Sequence, residues 1–431
     1  MIRRVVLAGG GTGGHLFPGL AVIEELLRRR SSIEVLYVGT ERGIEARVIP
    51  ARGERLELLD VKPLKGQSKL NFLKSVGVLP RAMGQAASIV RSFKPDLVIG
   101  VGGYASGPML AAAAAMGVPT AILEQNVQVG LTNRILSPIV GRAYVSFAET
   151  ASRFRDARVR VAGNPIRKEL VAAAMRARID PLGFESRSKD ILVLGGSQGA
   201  RSLNEAVPEA LARAGLAERG VRVIHQTGES MREAVAERYA SLGVDAKVES
   251  FIDDMADAYQ RAALVIARAG ASTVAELCAV GRPAILVPFP HAADDHQTKN
   301  AKALEAAGAA VAVAESELDP DTFAALVRDL LDEPERRRAM AEAARGHGKP
   351  DAAANIVDDL FEWLEGASGA TPSDDDEDEA QGEPEGGPTR GPSHGLRSAD
   401  AYRPRHRMSA RKPLVVDGAE WSFSNQTTYI C

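Results

Sequence analysis

The chain has 431 residues, a net charge of −3, and 45% hydrophobic and 25% charged residues. Such a length calls for more than one core, and the near-neutral balance excludes a general electrostatic pull toward nucleic acid. Two cysteines, Cys278 and Cys431, give no disulfide framework, and no apolar run reaches the roughly 18 residues of a membrane span, so a soluble protein of a reducing, cytosolic compartment is expected.

The first predicted element is a strand at about residues 4–8, entered at once, with no room for a signal peptide before it. It runs into GGGTGGH (9–15), and a helical pattern follows Pro18. A strand that stops at Gly9 and a helix that starts near His15 leave a turn of bare backbone, where a ligand can reach main-chain N–H groups. Further strand-like runs at 34–38, 97–101, 119–123 and 143–147 alternate with helical patterns, as in a parallel α/β sheet. Near Asp190 the scheme restarts with ILVLGGSQGA (191–200), followed by runs at 221–225, 246–249, 263–267 and 284–288. The repeat is one of architecture, so two doubly wound domains are expected, residues 1–163 and 164–348, linked within 164–190. Helices are expected at about 320–345 and 351–365, the second with Ile356, Leu360, Phe361 and Leu364 on one face.

From residue 366 the composition changes to Gly, Pro, Ser and acid, including the run Asp374–Glu379, and then to five arginines and one lysine in 397–412. Such segments cannot bury enough apolar area to offset chain entropy, so a disordered tail is expected. Residues 414–431, with Val415, Val416, Trp421, Phe423 and Tyr429, read as a frayed extension or a short docking segment.

Gly9, Gly11 and Gly14, with Glu41 beyond the second strand, formally satisfy a dinucleotide fingerprint, which makes a nicotinamide-dependent oxidoreductase or a non-catalytic nucleotide-binding protein the rival readings. Glycine-rich turns recur at 102–107, 195–199 and 269–273, each after an apolar run. One cofactor needs one phosphate cradle, whereas these lie in both halves and imply a cleft with glycine turns on both walls. Ser197, Gln198 and Gly199 stand where a helix begins, so free N–H groups and the helix dipole favour a diphosphate there, against a plain Ser N-cap. Glu276, three after Thr273 and four after Ser272, has the spacing of a capping box. His291 and His296 are five apart and do not share a helix face, so no metal is expected. His15, at the mouth of the first turn, titrates near neutrality and is the best candidate general base.

The motifs GGGTGGH (9–15), GGYASGP (102–108), EQN (124–126), GNPIR (163–167), GGSQGA (195–200), RAGASTVAEL (268–277) and HQTKNA (296–301), in this order, resemble the MurG family of peptidoglycan glycosyltransferases, in glycosyltransferase family 28, over about residues 1–365. The resemblance implies the GT-B fold, with a last helix at 349–365 crossing back to the first domain. It implies transfer of N-acetylglucosamine from UDP-GlcNAc to the undecaprenyl-pyrophosphoryl-muramyl-pentapeptide, lipid I, with inversion and no cofactor. Another GT-B enzyme using a UDP-sugar and a different lipid acceptor remains the alternative.

Residue by residue, the resemblance implies that Ser197 and Gln198 hold the diphosphate and that Glu276 binds the ribose hydroxyls. Ala271, Ser272 and Thr273 line the nucleotide, and the main chain of Ile252, otherwise a core residue, reads the uracil edge. Arg167 touches the donor and steadies the departing UDP. Gln297, Asn300 and Asn126 reach the sugar. Tyr104 and Glu124 complete the substrate contacts. Thr12, Gly13, Gly14 and His15 face the acceptor, with His15 either the base or a phosphate contact. Lys62, Lys65, Lys69, Lys74, Arg81 and Arg91, interleaved with Leu70, Phe72, Leu73, Val76, Val78 and Leu79, suit an interfacial patch on an anionic membrane, although a helix packed on its own sheet would share the pattern. The resemblance favours the membrane, on the cytoplasmic face of the inner membrane, and cell-wall or division proteins as partners.

Overall fold

The computed structural model describes residues 1–61, 69–154, 158–179, 189–196, 199–292 and 295–366, with the backbone alone for 69–79. The acidic run, the arginine cluster and the 414–431 segment lie outside the described residues, as do Ser197 and Gln198, Lys62 and Lys65, and the side chains of the apolar patch from Lys69 to Leu79.

Two all-parallel sheets account for both series of apolar runs. In the first half β1 (Arg4–Ala8), α1 (Gly13–Arg29), β2 (Glu34–Gly39), α2 (Glu45–Ala51) and β3 (Leu56–Leu58) are followed by α3 (Lys69–Phe93) and β4 (Leu97–Gly100). Then come α4 (Ser106–Ala115), β5 (Thr120–Glu124), α5 (Leu131–Leu136), β6 (Arg142–Val145), α6 (Ala148–Ala151) and β7 (Val159–Val161). The second half opens with α7 (Lys168–Ile179), β8 (Asp190–Leu194), α8 (Arg201–Arg213), α9 (Leu216–Arg219) and β9 (Val223–Gln226). It continues through α10 (Arg232–Ser241), β10 (Ala246–Glu249), α11 (Met255–Arg261), β11 (Ala262–Ala267), α12 (Ala271–Val280) and β12 (Ala284–Leu286). It ends with α13 (His296–Ala306), β13 (Ala310–Ala312), α14 (Pro320–Asp332), α15 (Pro334–His347) and α16 (Ala352–Glu365).

The strand orders are β3-β2-β1-β4-β5-β6-β7 and β10-β9-β8-β11-β12-β13. Both reverse direction beside their first strand, between β1 and β4 and between β8 and β11, and this switch point is where open α/β sheets bind ligands. Helices cover both faces of each sheet, so the central strands are apolar throughout: Val5 and Leu7 join one core, and Val6 and Ala8 the other. In the second sheet Leu192 and Leu194 pack with α7, α11 and α12, while Ile191 and Val193 pack with α8 and α14.

Three strands escaped the sequence reading. β3, β7 and β13 have three residues each and lie at or beside sheet edges, too short to show a period. The expected helix at 320–345 is two helices, because Pro334 removes an N–H and starts α15 afresh.

The last helix, α16, packs on the first half through Ile356, Val357, Leu360 and Phe361. Polar pins fix its register. Arg30 grips Glu365 with its two terminal guanidinium nitrogens, at 2.7 and 2.9 Å, and stacks over Phe361. Asp359 accepts from Tyr144 Oη at 2.7 Å, Arg142 Nε at 3.1 Å and Arg160 Nε at 2.8 Å. Desolvation pushes the Asp359 carboxyl upward, but these hydrogen bonds and the two guanidinium charges outweigh it and hold the group below its ordinary value. Asp359→Asn should therefore cost about 1–3 kcal/mol at neutral pH, the range for a charge-assisted hydrogen-bond set. A lowered carboxyl gives stability that is present above its unfolded pKa of about 3.9 and is lost as pH falls through the folded value. In urea unfolding the gap between variant and parent should narrow below about pH 4.

Candidate functional site

The four glycine-rich turns are the four turns that flank the two switch points: after β1 and β4 in the first sheet, after β8 and β11 in the second. In the first sheet the two turns touch. Gly10 N–H donates to Gly102 O at 3.2 Å, and a Cβ on Gly9 would lie 2.1 Å from that same oxygen. Beneath them sits Glu45, the first residue of α2, which is 2% exposed. Its Oε2 accepts from Gly11 N–H at 2.7 Å, and its Oε1 from Thr40 N–H and Oγ1 at 2.9 and 3.0 Å. Glu41, the acid of the formal dinucleotide fingerprint, is exposed, and the carboxylate that meets this turn is Glu45.

His15 lies in the first turn of α1, its ring half-buried over Gly102, where a Cβ would come within 3.0 Å of Cδ2. Its Nδ1 is 3.0 Å from Thr12 Oγ1. Because Thr12 engages the ring, it makes no side-chain cap to α1, whose first N–H groups stay open. Desolvation in the cleft lowers the His15 pKa, nearby His296 lowers it further, and Glu45 opposes both. The imidazole is therefore neutral at pH 7.

The facing wall comes from the second sheet. α12 begins at Ala271 on Gly270, α8 begins at Arg201 on Ala200, and neither has a side-chain cap or an acid in its first turn; the same holds for α1. Ser272 Oγ reaches across to donate to Gly14 O at 3.2 Å, so the N-termini of α1 and α12 meet nose to nose. Glu276, on α12, does not close a capping box. Its Oε1 accepts from Arg167 Nη2 at 3.2 Å and its Oε2 from Tyr259 Oη at 3.1 Å. Arg167, just before α7, stacks its guanidinium on Phe17 of α1, 5.4 Å from the ring centre, and so touches both halves. Desolvation would lower its pKa, but the Glu276 charge prevails and raises it, which keeps the guanidinium ionised.

Between these walls is a cavity of about 670 Å³. Of the residues nominated from sequence, Thr12, Gly13, Gly14, His15, Asn126, Arg167, Ala271, Ser272, Thr273, Glu276 and Gln297 line it. Four do not. Glu124 is buried beneath Asn126, where it accepts from Asn126 and Gly130 N–H and from Asn133 Nδ2 at 2.9 Å. Burial raises its carboxyl, against the pull of these donors. Its place is under the loop, as scaffold. Asn300 is fully buried and donates to Ala269 O at 3.0 Å, bracing the turn after β11. Tyr104 is exposed and stands outside the lining. The Ile252 side chain is core, as its type suggests, and its N–H donates to Gln226 Oε1 at 3.2 Å.

The sequence reading missed several lining residues. Gln226, at the end of β9, ties Ile252 to the second-sheet turn by donating to Gly196 O at 2.9 Å. Arg268 donates to Val287 O, Pro288 O and Ser202 Oγ, and pairs with Glu315 at 2.5 Å. An arginine that ends an apolar strand was the available signal. Gln125 stood between the two nominated residues of the EQN motif, and Phe17 carried no signal. Among the described residues no cluster of three or more His, Cys, Asp or Glu could hold a metal.

Two doubly wound domains around such a cleft make the GT-B arrangement, and sequence comparison is specific about its kind. The model of the glycosyltransferase family 28 N-terminal domain matches residues 5–145, and that of the C-terminal domain residues 190–356. The chain belongs to glycosyltransferase family 28. It is similar to the UDP-N-acetylglucosamine--N-acetylmuramyl-(pentapeptide) pyrophosphoryl-undecaprenol N-acetylglucosamine transferase of Myxococcus xanthus, 47% identical over 83% of this chain and 92% of that protein. The like-named protein of Geobacter metallireducens is 44% identical over 83% of this chain and 98% of its own. The crystal structure of Acinetobacter baumannii MurG superposes with a TM-score of 0.65 at 32% identity, covering 84% of this chain and 99% of that one.

The electrostatics of the cleft can be read directly. The NMR titration midpoint of the His15 imidazole should fall below the ordinary value of about 6.5, and His296→Gln should move it upward by removing a neighbour that lowers it. An unmoved or lower midpoint in the variant would contradict the geometry.

Proposed function

We propose that the chain is an inverting glycosyltransferase that moves GlcNAc from UDP-GlcNAc to the 4-hydroxyl of the muramyl sugar in undecaprenyl-pyrophosphoryl-MurNAc-pentapeptide, forming lipid II for peptidoglycan. The observation that carries this reading is the meeting of three uncapped helix N-termini, α1, α8 and α12, on one cavity. Their open N–H groups and dipoles favour diphosphates on both walls, which suits a nucleotide donor facing a pyrophosphoryl acceptor. The names of the relatives supply the sugar and the lipid.

In this reading the second half, 164–348, binds the donor. Ser197 and Gln198, with the α8 terminus, hold the diphosphate; Glu276 accepts from the ribose hydroxyls; the Ile252 main chain meets the uracil; Ala271, Ser272 and Thr273 line the nucleotide. Gln297 and Asn126 face the sugar. The first half, 1–163, completed by the helix in 349–365, takes the acceptor, with Thr12, Gly13 and Gly14 at its pyrophosphate.

The reaction then has a simple balance. The acceptor oxygen attacks the anomeric carbon as the bond to the UDP oxygen breaks, and the electron pair leaves on the diphosphate. The hydroxyl proton passes to a base. His15 is neutral at pH 7, so it is available as that base. For Nε2 to take the proton, Nδ1 must carry one, and Thr12 Oγ1 at 3.0 Å can accept it. The Arg167 charge and the helix ends stabilise the departing diphosphate.

Incubation with UDP-GlcNAc and lipid I should release UDP and give a disaccharide lipid; no product would overturn the reading. His15→Ala should lower kcat by about 10²–10⁴-fold while leaving the Kd for UDP unchanged.

The acceptor requires access to a membrane, and among the described residues no helix is long and apolar enough to cross one. Peripheral attachment to the cytoplasmic face through the basic and apolar residues of 62–94 is the reading that fits the acceptor. Phe72→Ser with Leu73→Ser should reduce cosedimentation with anionic vesicles and leave UDP affinity intact. Undiminished vesicle binding would discard it.

A further inference from the structure

Glu276 is not a free carboxylate waiting in the cleft. Its Oε2 accepts from Tyr259 Oη at 3.1 Å and its Oε1 from Arg167 Nη2 at 3.2 Å. The two donors differ in kind. Arg167 comes from the segment that joins the two halves and stacks on Phe17 of α1, so its place depends on how the walls stand. Tyr259 belongs to α11, is 0% exposed, and sits in the same core as Leu277 and Val274 of α12. Its ring is held within the core that also holds the helix carrying Glu276.

We propose that Tyr259 is a positioning residue for nucleotide recognition: its buried hydroxyl pins one oxygen of Glu276 so that the carboxylate meets the two ribose hydroxyls in a single orientation. The proposal rests on the ribose role given to Glu276 above. A glutamate side chain at a cleft wall has several rotamers, and a ligand that must select one of them loses affinity to that ordering. An ionised carboxylate accepts about four hydrogen bonds. Tyr259 and Arg167 use one on each oxygen, which leaves each oxygen room for one more donor, the number a vicinal diol supplies. The tyrosine serves as a donor throughout the working pH range, because burial first, and the Glu276 charge second, push its phenol well above the ordinary range.

The alternative is that Tyr259 only fills the core. Tyr259→Phe separates the two, since it keeps the ring and deletes the hydroxyl. Titration calorimetry of the full chain with UDP and with 2′-deoxy-UDP should show the parent preferring UDP by about tenfold or more, and Glu276→Ala abolishing that preference. Tyr259→Phe should weaken UDP binding by about five- to tenfold and 2′-deoxy-UDP binding by clearly less. In the Glu276→Ala background the same change should have no further effect. In turnover, the KM for UDP-GlcNAc should rise while kcat at saturating donor stays within about twofold. Equal weakening of both nucleotides, or parent-like affinity and preference, would overturn the proposal. A Glu276→Ala variant that kept the preference for the 2′-hydroxyl would instead show that the ribose reading itself is wrong.

Discussion

At the carboxyl edge of each sheet two β–α turns must pass within contact distance of neighbouring backbone, and a side chain at the crossing would force them apart. A Cβ on Gly9 would meet Gly102 O at 2.1 Å, one on Gly103 would meet Gly10 O at 2.6 Å, and one on Gly199 would meet Thr227 O at 2.0 Å. Each of these glycines also has a positive φ, from +75° to +124°. The crossing fixes where α1 and α8 begin and leaves their first amides bare. It also seats His15, whose ring occupies the space that a side chain on Gly102 would need. The site is thus a consequence of how closely the turns approach.

The charges around the cleft are already matched before any ligand is considered. Glu45 is spent on Gly11 and Thr40, Glu276 on Arg167 and Tyr259, and Glu315 on Arg268 and Ser202. Among the described residues, three helices begin on the cleft with no acid in the first turn. Buried carboxylates whose oxygens are bonded avoid the larger cost of an unpaired charge, while an open helix end gains from an anion. This distribution favours ligands that carry diphosphates, and it disfavours a cleft whose wall acids would repel them. The Ser272 contact to Gly14 O adds a constraint on distance, because it holds the two helix ends close enough to act on one ligand pair.

Much of this was legible in the sequence because parallel strands are buried on both faces and read as unbroken apolar runs, and the four beside the switch points run into glycine-rich turns. Edge strands such as Leu56–Leu58 carried no such signal. Motif membership also misled in an instructive way. Glu124 and Asn300 sit in the EQN and HQTKNA motifs, yet their side chains brace loops beneath the cleft, where a polar group is useful only if fully bonded. Gln226 and Arg268 belong to strand ends, and only the packing of the second sheet brings them to the lining. Residue type and spacing identify a turn. They do not say whether a side chain beside it points up to the ligand or down to the scaffold.

The first turn shows how far the same fingerprint can be turned to another use. In a dinucleotide domain the acid after the second strand faces the ribose and the glycine amides face the pyrophosphate. Here the acid is Glu45, four residues beyond Glu41, and it is folded underneath the turn, where Gly39, Gly10 and Gly43 leave it room by lacking a Cβ. It takes the Gly11 N–H for itself. An anion built into the protein thus holds the Gly11 amide that a dinucleotide's pyrophosphate would use, and among the described residues of the cavity lining none from the first half is a carboxylate. In the second sheet a carboxylate from a different turn, Glu276 on the helix after β11, stands in the cavity lining, and the turn after β8 has no buried carboxylate bonded to its described amides. The two halves share a topology, but only the second places a carboxylate in the lining between two helix ends, and that difference supports the proposed assignment of the nucleotide to the second half and of the acceptor to the first.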